Sequence, residues 1–280
     1  MTEGIHHTIS TTNFHWDCVQ YGEGNKTWLA FSGFGENHTH FTSVAQLLPV
    51  NHRLICINHP LHGKSIPLDY PGPSLSIEAF SEEMVDILNY FSIGDFGLMG
   101  YSLGGRIAMT LTNQFPERVE RLILFAPDGL TKTPFHYLGK VPVISQPIFN
   151  FFRKKPDGIT YTGKLLNKLG VIPDSVFKFS SLQLQDQKRR NQLYITWYSL
   201  NNLFPRMNLL HNQLQEHGVV MHLFMGKDDP IIKLSHADKL KNWDPKLLRK
   251  TILPMKHRIL DHPQFNQHFK SALLNLNIEA

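Results

Sequence analysis

The sequence predicts an α/β fold with a mostly parallel, doubly wound sheet, interrupted once by a helical insertion. Three observations predict it. Short runs that are apolar on both faces recur along the chain, each closing in a turn-rich loop, as strands buried inside a parallel sheet do. Stretches with helical apolar spacing fill the gaps between them. The alternation stops between about Gly129 and Leu210 and resumes at Val219.

The elements follow in order. Ile5 to Thr12 and Phe14 to Tyr21 alternate weakly and read as two strands, closed by the turn Gly22-Glu23-Gly24-Asn25. Thr27 to Phe31 is a buried strand that ends in the glycine-rich Ser32-Gly33-Phe34-Gly35. Arg53 to Ile57 ends in Asn58-His59-Pro60. Ser76 to Tyr90 places Ile77, Phe80, Met84, Ile87 and Leu88 on one helical face. Phe96 to Met99 is a strand that runs through Gly100 into a helix from Leu103 to Asn113. Leu122 to Phe125 ends at Ala126-Pro127-Asp128, Val219 to Met225 ends at Gly226, and Leu247 to Leu253 ends shortly before His257. Ligands of such sheets bind beyond the carboxyl ends of the strands, so these loops are where chemistry is expected.

The remaining stretch divides the chain into a core domain, residues 1–128 and 211–280, and a helical insertion, residues 129–210. The insertion is rich in aromatics, among them Phe149, Phe151, Phe152, Tyr194, Trp197 and Tyr198. Tyr161 to Leu169 and Asp174 to Ser199 are expected to be helical. Most of the aromatics serve a small helical core on this reading, and an insertion over the face where ligands bind would also act as a lid.

Bulk properties bound the function. The 280 residues are 41% hydrophobic and 18% charged, enough for a packed core. The N-terminus has no basic segment followed by an apolar one, and no run approaches the ~18 apolar residues of a membrane helix. A cytoplasmic protein without a membrane span is expected. The only cysteines are Cys18 and Cys56, and Cys56 reads as a small core residue rather than half of a disulfide. The net charge of +5 gathers at Arg153-Lys154-Lys155 and Lys188-Arg189-Arg190. A solvated face accounts for both, with an acidic protein partner or an anionic substrate tail as the sharper alternative. No nucleic-acid motif accompanies the charge. HExxH and CxxC are absent and no GxGxxG follows a strand, so neither metal nor cofactor is expected.

Gly100-Tyr101-Ser102-Leu103-Gly104 carries the strongest chemical signal. Gly-x-Ser-x-Gly alone is weak, arising by chance in roughly one chain of this length in ten. Its position between a predicted strand and a predicted helix gives it weight, because a nucleophile elbow requires that context. The serine sits on a strained turn at the amino end of a helix, where the backbone favours developing negative charge. The backbone N–H of Leu103 and that of Phe34, in the glycine turn after the preceding strand, are candidate oxyanion donors.

At these residues the chain resembles the lid-bearing α/β-hydrolase superfamily over nearly its full length. The matching pieces are SGFG at 32–35, NHPLHGKS at 58–65, GYSLGG at 100–105, PERVERLILFAP at 116–127, GKDDPII at 226–232 and KHRILDHPQF at 256–265. The resemblance implies an α/β-hydrolase fold, with Ser102 as nucleophile, Asp229 as triad acid and His257 as general base. Asp228 and Asp128 are the alternative acids, and His262 is the fallback base. Where the family commonly reads H-G-x-G, this chain has Ser32, and its histidine follows Lys256 rather than a glycine. The order Ser102, Asp229, His257 is the order the fold requires.

Three functions compete. The first is an esterase-type serine hydrolase acting on a small or medium, largely apolar carboxylic ester as its small-molecule partner. The second is a carbon–carbon bond hydrolase or lyase on the same triad, because GYSLGGRIAM is similar to the elbow of the menaquinone-pathway lyases. The third is a non-catalytic member that binds a hydrophobic ligand or a protein. Ser102 in place of an aspartate sets aside dehalogenation and epoxide opening.

Overall fold

The computed structural model describes residues 3–69, 74–132, 164, 168, 177, 181, 186–276 and 278. Nine strands form one sheet. They are β1 (Ile5–Ser10), β2 (Phe14–Tyr21), β3 (Lys26–Phe31), β4 (His52–Ile57), β5 (Ile66–Pro67), β6 (Phe96–Tyr101), β7 (Val119–Phe125), β8 (Val220–Gly226) and β9 (Leu248–Leu253). The order across the sheet is β1-β2-β4-β3-β6-β7-β8-β9, with β5 paired to β2. β1 and β2 are antiparallel to each other, and β2 is antiparallel to β4 and β5. Every pair from β4 through β9 is parallel.

The inner parallel strands are largely apolar on both faces, as strands covered on both sides by helices are, whereas the edge strand β9 exposes Lys250 and Ile252. Every residue of β6 is buried, as are the last four of β4 and of β7. The helices are α1 (Thr42–Leu47), α2 (Ile77–Tyr90), α3 (Leu103–Gln114), α4 (Gln187–Leu200), α5 (Met207–Glu216) and α6 (Phe265–Asn275). The rings of Phe125 on β7, Phe224 on β8, and Phe265 and Phe269 on α6 lie with centroids 5.2 to 6.3 Å apart. Such pairs add about 0.5–1.5 kcal/mol each beyond the area they bury. They fix the sheet edge that delivers the loops after β8 and β9.

α2 begins where Ser76 caps it, its side chain accepting the Ala79 N–H at 3.1 Å. Phe80, Met84, Ile87 and Leu88 are buried as their spacing predicts. Glu83 shares that buried face. Its side-chain oxygens accept from Trp16 Nε1 at 2.8 Å, Asn13 N at 2.9 Å, Asn13 Nδ2 at 2.7 Å and the Thr11 hydroxyl. A helix residue thereby ties down the β1–β2 hairpin.

The sequence places the main strands and both long core helices within a few residues of their observed ends. The two-residue strand β5 and helices α1, α5 and α6 stand outside the elements expected from the sequence. α5 runs unbroken through residue 210 and docks on α3. Asn113 Nδ2 donates to Gln213 Oε1 at 2.8 Å, and Asn113 Oδ1 accepts from Arg206 N at 2.8 Å. Of the expected insertion helices, the stretch from 161 to 169 lies outside the described residues apart from Lys164 and Lys168. Of the stretch from 174 to 199, α4 is described in full, and Phe177 and Ser181 are helical. Cys18 and Cys56 are free thiols buried on adjacent strands β2 and β4. Among the described residues, no helix is long and apolar enough to cross a membrane.

Candidate active site

Ser102 stands between β6 and α3 with φ +51° and ψ −114°, a backbone conformation that L residues rarely adopt. Strain of this kind costs about 1–3 kcal/mol and survives only where its surroundings enforce it. Three backbone hydrogen bonds do so: Ser102 N–H donates to Phe125 O at 3.0 Å, and Ser102 O accepts from Gly105 N at 2.9 Å and Asp128 N at 2.9 Å. The glycines of the motif answer to crowding. A Cβ on Gly100 would stand 2.3 Å from Gly104 O, and one on Gly104 would stand 1.8 Å from Phe31 O. The second contact presses the end of β3, and with it the Ser32–Gly35 loop, onto the first turn of α3. A Cβ on Gly33 would lie 3.4 Å from the Cβ of Ser102, so this loop passes beside the serine.

Two further loops bring a histidine and a carboxylate to the same place. His257 Nε2 is 3.0 Å from Ser102 Oγ, and His257 Nδ1 is 2.7 Å from Asp229 Oδ2. Asp229 follows β8, and its side chain is fully buried. Its second oxygen, Oδ1, accepts from Ile231 N at 2.8 Å and Ile232 N at 2.9 Å, which orients the first toward the imidazole. His257 follows β9, and its side chain is 14% exposed. Tyr101 backs it: the two rings lie 5.2 Å apart, and Tyr101 OH donates to His257 O at 3.3 Å. Burial, followed by the nearby carboxylates of Glu36 and Asp229, pushes the Tyr101 phenol above its ordinary value.

The alternatives make other contacts. Asp228 is exposed next to its buried neighbour. Asp128 faces α3, with Oδ2 3.5 Å from Arg106 Nη1 and Oδ1 accepting from Gly129 N at 2.7 Å. His262 Nδ1 accepts from Gln264 N at 3.2 Å.

Sequence pattern alone assigns no role to the two histidines of Asn58-His59-Pro60-Leu61-His62. The structure puts both against the Ser32–Gly35 loop. His59 Nε2 donates to Ser32 O at 2.7 Å, and His62 Nε2 accepts from Gly35 N at 2.8 Å. With Nε2 accepting, the His62 proton sits on Nδ1, which donates to Pro60 O at 3.0 Å. Burial pushes both imidazoles down, His59 to about 3 and His62 to about 4, so both are neutral near pH 7. Their place in the loop directly after a parallel strand was the available signal. Among the described residues, no three His, Cys, Asp or Glu side chains gather in a way that could hold a metal ion.

A family model described as the alpha/beta hydrolase fold matches residues 29–262. The chain belongs to the α/β-hydrolase family. The solved structures it resembles are consistent with this membership. A putative lipase from Acinetobacter baumannii superposes with a TM-score of 0.66 at 20% identity, covering 98% of this chain and 92% of that one. Carboxylesterase CesB from Bacillus subtilis superposes with a TM-score of 0.64 at 16% identity, covering 98% and 92%. At these identities the likeness speaks for the α/β-hydrolase fold alone. Among curated relatives, an uncharacterized protein of Mycobacterium tuberculosis is 36% identical over 104 residues, 37% of this chain and 30% of that protein. The sn-1-specific diacylglycerol lipase ABHD11 of Danio rerio is 31% identical over 120 residues, 42% of this chain and 36% of the lipase. The matches thus span about a third of the length of these relatives.

Proposed function

We propose that this α/β hydrolase is a serine hydrolase that cleaves a small-to-medium, largely apolar carboxylic ester through an acyl-enzyme. The observation that carries the reading is the continuous hydrogen-bonded line from Asp229 Oδ2 through His257 to Ser102 Oγ, at 2.7 and 3.0 Å. The serine at its end sits on a positive-φ turn at a helix amino terminus.

Each group has a task in that reading. A serine hydroxyl is a poor nucleophile at neutral pH, so a base within hydrogen-bond reach must take its proton. His257 Nε2 is that base as Oγ bonds to the carbonyl carbon. Asp229 holds the Nδ1–H tautomer and stabilises the imidazolium. The carbonyl oxygen becomes an oxyanion, received by the backbone N–H groups of Leu103 and Phe34, each worth about 3 kcal/mol. Collapse expels the alcohol, which takes its proton from His257. Water, deprotonated by the same imidazole, then releases the acid and restores Ser102.

Ser102 in place of an aspartate nucleophile disfavours epoxide opening and dehalogenation, and the similarity to ABHD11, by name a lipase, supports ester cleavage over carbon–carbon hydrolysis on the same triad. The insertion, residues 129–210, serves as a lid in this reading. Its helix α4 reaches the site's own loop, with Gln192 Nε2 donating to Leu61 O at 2.9 Å and Thr196 Oγ1 to Pro60 O at 3.0 Å.

A fluorophosphonate probe tests the proposal. It is expected to label the wild type and not Ser102→Ala; an unlabelled wild type overturns the nucleophile assignment. A chain-length series of p-nitrophenyl esters beside a panel of β-diketones tests the bond cleaved. Diketone turnover with negligible ester cleavage would replace the esterase reading with carbon–carbon hydrolysis.

A further inference from the structure

We propose that His59 and His62 are positioning residues that clamp the Ser32–Gly35 loop, holding the Phe34 N–H where an oxyanion develops. The proposal rests on the serine-hydrolase reading and deepens it. The two imidazoles bond the backbone on either side of Gly33-Phe34: His59 takes the Ser32 carbonyl, and His62 takes the Gly35 amide. A glycine-rich loop fixed at both ends has little freedom left between them. This chain lacks a histidine at position 32, and the His59 imidazole supplies a tie to that residue's carbonyl from the next loop.

The clamp is packed as well as bonded. The His59 and His62 rings meet edge to face at 5.5 Å. His59 stacks on Phe31 at 6.3 Å, and His62 meets Phe34 at 5.6 Å. The neutral state is required at His62, because a second ring proton would face the Gly35 N–H with a donor. Burial keeps it neutral. The insertion meets the same assembly at Pro60 O, which accepts from both His62 Nδ1 and Thr196 Oγ1. Helix α4 and the histidine that holds the loop therefore share one acceptor.

Glutamine and asparagine separate positioning from bulk structure. A glutamine amide reaches about as far as Nε2, and an asparagine amide only about as far as Nδ1. His59→Gln and His62→Gln are expected to keep kcat for a p-nitrophenyl ester within about tenfold. His59→Asn and His62→Asn are expected to lose about 10²–10³-fold in kcat, the cost of one oxyanion donor, with KM within about threefold. Affinity for a boronic acid transition-state analogue should fall in parallel. Amide hydrogen exchange at Gly35, read by NMR, should accelerate at least tenfold in His62→Asn and little in His62→Gln. That readout is independent of turnover, so it judges the clamp even if fluorophosphonate labelling fails. Unchanged Gly35 exchange in His62→Asn, equal losses in the Gln and Asn variants, or Asn variants with wild-type kcat would each overturn the proposal.

Discussion

The backbone of Gly104 is pressed against the carbonyl oxygen of Phe31, so closely that a Cβ at residue 104 would stand 1.8 Å from that oxygen. Both atoms belong to main chain, one on the helix that starts at Ser102 and the other at the end of β3. Neither can give way by a rotamer change. Gly104→Ala is therefore expected to force α3 and the Ser32–Gly35 loop apart, destabilising the fold by about 2 kcal/mol or more and lowering kcat in whatever folds. Urea denaturation beside ester turnover checks this. A wild-type midpoint would mean the contact is looser than its geometry.

Asp229→Asn isolates the orienting carboxylate. The asparagine oxygen can still accept from the Ile231 and Ile232 N–H groups, as Oδ1 does now. Its amide then points N–H at His257 Nδ1. The imidazole must carry its proton on Nε2, facing Ser102 Oγ with a donor instead of an acceptor. The expected result is a kcat loss of about 10³–10⁴-fold with KM and the thermal midpoint nearly unchanged. A loss below tenfold would point to a different acid.

Most of the framework was legible because buried parallel strands and an elbow leave strong local marks. Phe96 to Ser102 reads as strand, glycine and nucleophile in one line, and the observed β6 and the turn after it follow that line. The proposed partners of Ser102 rest on resemblance and chain order rather than on local pattern, which puts Asp229 first and keeps its neighbour Asp228 as an alternative. Burial separates them, and burial is a tertiary property. His59 and His62 were hidden for the same reason. Sixteen histidines in one chain dilute the meaning of any pair, and only the packing of the β3 and β4 loops brings these two to the Ser32–Gly35 backbone. α1 and α6 escaped because amphipathic segments this short or irregular owe their helicity to docking.

Stability is expected to fall as the pH drops from 7 to 5. Burial pushes His59 down to about 3, His62 to about 4 and His222 to about 4. The unfolded chain protonates these side chains near 6.5, while the folded chain keeps them neutral. Between 6.5 and the folded values the unfolded state binds more protons. Their contribution is full above 6.5 and is lost as the pH falls, by up to ~1.4 kcal/mol per pH unit for each histidine. Asp17 acts lower on the scale. Burial opposes its ionisation, but hydrogen bonds from His6, Lys64 N and Asn58 outweigh burial and lower its value, so its contribution fades only in more acidic solution. Denaturant midpoints at pH 7 and pH 5 measure the slope, and equal midpoints would refute it.

Glu83 offers a test of stability separate from chemistry. Its oxygens accept from Thr11, from Asn13 twice and from Trp16, and none of these partners touches Ser102, Asp229 or His257. Leucine fits the apolar face of α2 but strands those donors in a buried setting, where an unsatisfied group costs about 1–3 kcal/mol. Glu83→Leu is expected to lose about 3 kcal/mol or more, with the β1–β2 hairpin losing amide protection before the sheet centre does. Turnover per folded molecule should hold, because the strands that lead to Ser102, Asp229 and His257 lie on the other side of β4 from that hairpin. A fall in kcat without a fall in stability would place Glu83 in the catalytic machinery and contradict this division between hairpin and site.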